Sequence, residues 1–77
     1  MKEQILAIIS KSLNVPVEDL HEESRIQEDL MADSLDVMDI TMQIEEDFQV
    51  AFNDAEYQHM KTIKDLINIV SEKVNQK

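Results

Sequence analysis

Ser34 is the side chain best placed for covalent chemistry in this sequence. It belongs to the segment LMADSL at residues 30–35, which ends a long acidic connection and begins a helix. The chain contains no cysteine, so no thiol offers an alternative nucleophile. A helix N-terminus favours an attached phosphate by roughly 0.3–1 kcal/mol, although the neighbouring Asp33 and Asp36 offset part of this gain. Ser34 is therefore either an attachment point or an ordinary helix cap.

The other reactive side chains give no indication of an enzyme. Ser34 lacks the G-x-S-x-G setting of a hydrolase nucleophile and has no evident base. His21 and His59 lie among polar residues and have no cysteine partner. An EF-hand calcium loop needs a glycine at its sixth position, and the chain has no glycine. We expect a non-catalytic protein without a specific metal site, whose acidic surface binds divalent cations only weakly.

The charge distribution indicates the kind of partner. The net charge is −10 over 77 residues, and fourteen acids lie between Glu18 and Glu56 with Arg25 as the single base among them. Such a surface repels nucleic acids and anionic membranes and attracts basic proteins. No apolar run approaches the roughly 20 residues that span a bilayer, and no secretory signal is visible. These features predict a monomeric cytoplasmic protein that binds basic protein surfaces.

The spacing of apolar residues predicts an all-α fold with a small four-helix bundle, in a single domain over residues 1–77. Three helices are long and one is short. The predicted helices cover residues 3–13, 33–49 and 54–59 and a final segment that Thr62 caps. Asn14 ends the first helix, and a long ordered loop at residues 15–33 leads to Asp33, the N-cap of the second.

The second helix has two apolar stripes. Its core stripe consists of Val37, Ile40, Thr41, Ile44 and Phe48. Leu35, Met38 and Met42 fall together on nearly the opposite side, beside Asp39, Glu45 and Glu46. One core face of so small a protein cannot bury both stripes. The second stripe is expected to be an exposed apolar strip rimmed with acids, the alternative being that it packs against another helix.

The segment LMADSLD at residues 30–36, followed by IEEDF at residues 44–48, resembles the acyl carrier proteins at their most recognisable part. The resemblance continues at residues 54–56 and 62–63, which are similar to the starts of the family's third and fourth helices. It implies that Ser34 receives 4′-phosphopantetheine from coenzyme A through a magnesium-dependent transferase. The thiol of this arm would then carry acyl groups as thioesters, most simply in fatty acid biosynthesis.

The same resemblance implies two groups of binding residues. In the family, basic partner enzymes bind the helix that follows the serine. The implied partner-binding surface here consists of Asp33, Leu35, Asp36, Met38, Asp39, Met42, Glu45 and Glu46. A growing acyl chain is sheltered among the helices, and the implied acyl pocket consists of Ile26, Ile40, Ile44, Phe52, Met60, Leu66 and Val70.

Three positions depart from the family pattern, and two other functions stay open. Met31 and Asn14 stand where glycine is common, and Tyr57 stands where a small residue usually faces the acyl cavity. Tyr57 is expected either to shorten the cavity or to swing outward. The departures leave open a carrier for a polyketide or other specialised pathway. A different class of function is an acidic helical module for protein or divalent-ion binding, in which Ser34 only caps a helix.

Overall fold

Helices make up the regular structure of the chain. A computed structural model describes residues 1–76; Lys77, the last residue of the predicted domain, lies outside the described residues. The elements are α1 (Lys2–Leu13), a 3-10 turn (Val17–Asp19), α2 (Ser34–Phe48), α3 (Asp54–His59) and α4 (Ile63–Asn75). The predicted all-α bundle of three longer helices and one short helix is confirmed. That the whole chain is one domain stays a prediction.

Reciprocal capping fixes where α3 and α4 begin. Asn53 Oδ1 accepts from Glu56 N and Glu56 Oε1 accepts from Asn53 N, both at 2.9 Å. Thr62 Oγ1 and Asp65 Oδ2 exchange the equivalent bonds with each other's backbone N–H at 3.1 Å. Each box satisfies N–H groups that a helix leaves without an intrahelical acceptor. The sequence therefore located both helix starts correctly.

Three residues that are not glycine adopt the left-handed backbone conformation. Asn14 ends α1, Gln49 ends α2, and Met31 lies in the loop before α2, each with φ of 58°. Asparagine tolerates this region better than most residues. Gln49 Nε2 also donates to Glu46 O at 2.9 Å. Met31 makes no such bond, and its side chain is 85% exposed, so its backbone strain has no local compensation.

The long connection between α1 and α2 is tied to the core and to the start of α4. Leu20, Ile26 and Ala32 are buried in the hydrophobic cluster that all of the longer helices share. Ile26 N donates to Lys61 O at 2.9 Å, and Ile63 N donates to Ser24 O at 3.0 Å. These bonds and buried side chains confirm the predicted ordered loop, and they fix the segment that leads to Ser34.

An ion-pair network stiffens the same loop shortly before Ser34. The Arg25 guanidinium bonds the carboxylates of Glu28 and Asp29. The backbone N–H of Arg25 donates to Asp29 at 3.0 Å. This bond, followed by the guanidinium bond, holds the pKa of Asp29 below its usual range. The single base in the acidic half of the chain thus neutralises part of the loop.

Candidate functional site

Ser34 is the first residue of α2, and its side chain is exposed. Asp33, one residue earlier, is the N-cap: its carboxylate accepts from Asp36 N at 2.9 Å. The Ser34 hydroxyl makes no hydrogen bond within residues 1–76. The structure therefore assigns the capping role to Asp33 and leaves the serine oxygen free to react.

The backbone on the N-terminal side of Ser34 is held in place from within the molecule. Ala32 is only 4% exposed, and its N–H donates to Ile26 O at 3.2 Å. From the next residue onward the chain lies at the surface: Asp33, Ser34 and Leu35 are all exposed. This combination presents the serine at the surface on a backbone that the buried alanine anchors.

The predicted apolar strip is exposed. Leu35, Met38 and Met42 on α2 are 70%, 50% and 59% exposed. The acids Asp39 and Glu46 beside them are exposed too. No helix within residues 1–76 covers these side chains, which settles the alternative of internal packing. The strip has the composition expected of a binding surface, because methionines adapt to differently shaped partners.

The acids of the predicted partner surface divide into two groups. Asp39 and Glu46 are exposed and make no side-chain hydrogen bond within the described part of the chain. Asp33 and Asp36 form the capping box of α2. Glu45 is half-buried, and its Oε2 accepts from Phe52 N at 2.9 Å, so it holds the segment between α2 and α3. Sequence reasoning missed this structural role of Glu45.

The residues of the predicted acyl pocket belong to the hydrophobic core of the molecule. Six of them are buried, and Phe52 is half-buried against the same cluster. The six buried residues come from the loop before α2, from α2, from the C-terminal end of α3 and from α4. They are Ile26, Ile40, Ile44, Met60, Leu66 and Val70. They belong to one cluster of buried side chains. That they form a pocket that shelters an acyl chain stays a prediction.

Tyr57 turns inward and reaches α2. Its hydroxyl lies 3.3 Å from Thr41 Oγ1, and its ring packs against Phe52 at a centroid distance of 6.1 Å. Thr41 Oγ1 donates its proton to Met38 O at 3.0 Å. Because a hydroxyl has a single proton, Tyr57 must be the donor to Thr41. Of the two predicted orientations, the inward one is observed. Helical spacing placed Thr41 in the core stripe of α2 but did not indicate that it bonds Tyr57.

Lys73 connects α4 to α3 at the outer edge of the same region. Its Nζ lies 2.8 Å from Glu56 Oε1 and 5.7 Å from the centroid of the Phe52 ring. The bond from Lys73, followed by that from Asn53 N, lowers the pKa of Glu56 against the opposing effect of its partial burial. The sequence did not predict this contact between α3 and α4.

A groove lies between α1 and α2, next to the exposed strip, and sequence analysis did not predict it. Its volume is about 790 Å³, and it shares Asp39, Met42 and Glu46 with the predicted partner surface. The α1 side is formed by Gln4, Ala7, Ile8, Lys11 and Ser12. Within residues 1–76, no three acidic or histidine side chains form a group suited to a metal ion, and no helix is long and apolar enough to cross a membrane.

Comparison with known proteins identifies the class first. Residues 3–70 match the family model described as a phosphopantetheine attachment site. The chain is 40% identical over 65 residues to an acyl carrier protein of Helicobacter hepaticus, covering 84% of this chain and 86% of that protein. It is 36% identical over 73 residues to an acyl carrier protein of Petrotoga mobilis, with coverages of 95% and 86%. The match defines a carrier domain for 4′-phosphopantetheine.

The solved structures agree on the fold. The crystal structure of an acyl carrier protein from Thermotoga maritima superposes with a TM-score of 0.81 at 32% identity, over 96% of this chain and 86% of that one. The chain belongs to the acyl carrier protein family. Its cofactor is therefore 4′-phosphopantetheine, its cargo is an acyl group, and its partners are acyl-processing enzymes. The resemblance seen in the sequence is confirmed.

Proposed function

We propose that this chain carries acyl intermediates of fatty acid biosynthesis on a 4′-phosphopantetheine arm joined to Ser34. The observation that carries the proposal is the free Ser34 hydroxyl, exposed at the first position of α2 while Asp33 performs the capping. The chain itself catalyses no step in this proposal. The bound arm supplies a thiol, which holds the acyl group as a thioester.

The surroundings of Ser34 fit a phosphodiester. In the attachment step the serine oxygen forms a bond to the pyrophosphate phosphorus of coenzyme A that carries the pantetheine group. The bond from this phosphorus to the bridging pyrophosphate oxygen breaks, and adenosine 3′,5′-bisphosphate leaves. The serine proton passes to a base of the transferase. The backbone N–H groups of Ser34 and Leu35 make no hydrogen bond within residues 1–76 and can stabilise the phosphate. Ala32 keeps this backbone in place because its side chain is buried.

The exposed strip is the proposed docking surface for the transferase and for acyl-processing enzymes. Leu35, Met38 and Met42 offer apolar contact area beside the attachment serine, and Asp39 and Glu46 attract basic side chains. The remaining acids of the surface contribute charge while they hold the local structure. The groove between α1 and α2 borders this surface, and its α1 side adds apolar contact area from Ala7 and Ile8 beside the cation Lys11. The carrier is proposed to act as a monomer.

Intact-mass spectrometry tests the attachment site. The wild-type chain is incubated with coenzyme A, magnesium and a broad-specificity phosphopantetheinyl transferase. Its mass should increase by one phosphopantetheine, and Ser34→Ala should gain nothing. Ser71→Ala is the matched control, because Ser71 is a helical serine on α4, outside the proposed docking surface, and it should be modified like wild type. The proposal would be rejected if Ser34→Ala were modified. It would also be rejected if several transferases all failed to modify the wild type.

A further inference from the structure

Helix α3 is the least anchored of the four helices. It has six residues, too few for independent stability, and none of them is buried. Its attachments are Met60, the buried residue at its C-terminal end, and side-chain bonds to the neighbouring helices. On one side Glu56 pairs with Lys73 of α4. On the other side Tyr57 bonds Thr41 of α2.

The bond to Thr41 lies deep in the molecule. Thr41 is only 1% exposed and is the one buried polar side chain among the residues that the structure describes. Its neighbours on α2 are Ile40 and Ile44, both members of the apolar cluster. The tyrosine ring packs against that cluster as well. The hydroxyl pair is thus placed where α2 and α3 close over the aliphatic interior.

We infer that the Tyr57–Thr41 hydrogen bond is a latch that closes α3 against α2 and restricts the acyl groups sheltered by the core to short ones. The inference rests on the proposed carrier function. A long hydrocarbon chain entering between these helices must displace the tyrosine ring and break the bond. The Thr41 hydroxyl would keep its bond to Met38 O. Its oxygen would lose the proton that Tyr57 donates and would face hydrocarbon instead, which is unfavourable in an apolar interior.

The latch makes shelter depend on chain length. A short acyl group can remain beside the arm without opening α3, because it does not have to reach past the hydroxyl pair. A longer group gains apolar contact only if the latch opens, so its thioester stays accessible to water for more of the time. Tyr57 and Thr41 are positioning residues in this account: they act on the shape of the interior and touch no reacting atom.

Two conservative variants isolate the hydrogen bond. Tyr57→Phe keeps the aromatic ring and removes its hydroxyl. Thr41→Val keeps the branched shape of the threonine side chain and removes its hydroxyl. Wild type and both variants are loaded with butyryl, octanoyl or dodecanoyl phosphopantetheine from the corresponding acyl-coenzyme A. The rate of thioester cleavage by hydroxylamine is then measured. Ser71→Ala on α4 is the control for loss of a hydroxyl elsewhere.

The octanoyl and dodecanoyl thioesters should be cleaved about three- to tenfold more slowly in both variants than in wild type, the range that one hydrogen bond allows. The butyryl thioester should be cleaved at the same rate in all four proteins. Equal rates of octanoyl thioester cleavage in wild type and both variants would overturn the latch as a length filter. So would a decrease in the butyryl cleavage rate as large as that for octanoyl.

Amide hydrogen exchange tests the latch without any cargo. In the unmodified protein, the amides of α3 should exchange about three- to tenfold faster in Tyr57→Phe and in Thr41→Val than in wild type. The double variant should add little, because both changes remove the same bond. Unchanged α3 exchange would overturn the latch even if Ser34 proved not to be modified. Failure of the transferase reaction alone would reject the carrier function and not the latch.

Discussion

Asp33 and Asp36 exchange two hydrogen bonds across the N-terminus of α2. Asp33 Oδ1 accepts from Asp36 N at 2.9 Å, and Asp36 Oδ2 accepts from Asp33 N at 3.2 Å. Ser34 lies between them and is also a residue type that can cap a helix, but its side chain takes no part in these bonds. An aspartate pair therefore fixes the helix start, and the serine hydroxyl remains available for attachment.

Removing the cap should cost stability. Asp33→Ala deletes the acceptor for Asp36 N, and the loss of such a cap destabilises a protein by about 1 kcal/mol. Urea denaturation followed by circular dichroism measures the change. Asp39→Ala is the control, because Asp39 is an exposed acid of the same helix; its effect should stay within about 0.5 kcal/mol. Equal stability of Asp33→Ala and wild type would show that the capping box contributes nothing.

Met31→Gly should stabilise the protein. Met31 has φ of 58°, which strains a residue with a Cβ by about 1–3 kcal/mol. Glycine removes this strain, while its greater freedom in the unfolded chain offsets about 0.5–1 kcal/mol. A net gain of about 1 kcal/mol in the free energy of unfolding is expected. Met31→Ala retains the Cβ and should gain nothing, so equal effects of alanine and glycine would contradict the strain.

Reversing charge on the exposed strip should weaken docking. Asp39→Lys combined with Glu46→Lys should raise the KM of the phosphopantetheinyl transferase for this chain about tenfold at low salt, because two attractive contacts become repulsive. The effect should shrink as salt reduces the screening length below about 8–10 Å. The matched control reverses Glu23 and Glu72, two exposed acids outside the strip.

The control carries the same change in net charge. If it raised KM as much as the strip variant did, the total charge of the chain rather than the strip would govern docking. An unchanged KM for the strip variant at low salt would place the transferase elsewhere on the surface.

The Glu56–Lys73 pair should make stability depend on pH. The bond from Lys73 lowers the pKa of Glu56 from its ordinary value of 4.5. The carboxylate therefore stabilises the folded state fully above pH 4.5, and this contribution is lost as pH falls through the lower pKa of the folded state. The stability difference between wild type and Glu56→Gln should be constant near neutral pH and shrink in acid.

Urea denaturation at a series of pH values measures this difference. Lys73→Met is the matched variant, because it removes the cation that lowers the pKa of Glu56. It should lose the larger share of the acid-sensitive part of the stability, because the bond from Asn53 N, which also lowers the pKa of Glu56, remains. A wild-type advantage over Glu56→Gln that did not vary with pH would mean that the charge of Glu56 contributes nothing to folding.

Local sequence determined the ends of the helices and the position of the proposed attachment serine. The caps Asp33, Asn53 and Thr62 and the end at Asn14 lie where their residue types indicate, because capping bonds join residues within one turn. Helical spacing alone separated the buried stripe of α2 from its exposed strip. Ser34 followed from the same information: it comes one residue after a better cap and at the start of an amphipathic helix.

Tertiary structure alone decided which distant side chains meet. Tyr57 and Thr41 are separated by 16 positions, and their bond depends on how α3 settles against α2. The bond from Phe52 N to Glu45 and the contact of Lys73 with Glu56 likewise join different segments. No spacing rule within one helix predicts such pairs, because the packing of the whole core sets the distance between segments. Local sequence therefore located the proposed attachment serine, and the packing of the core decided which side chains meet between α2, α3 and α4.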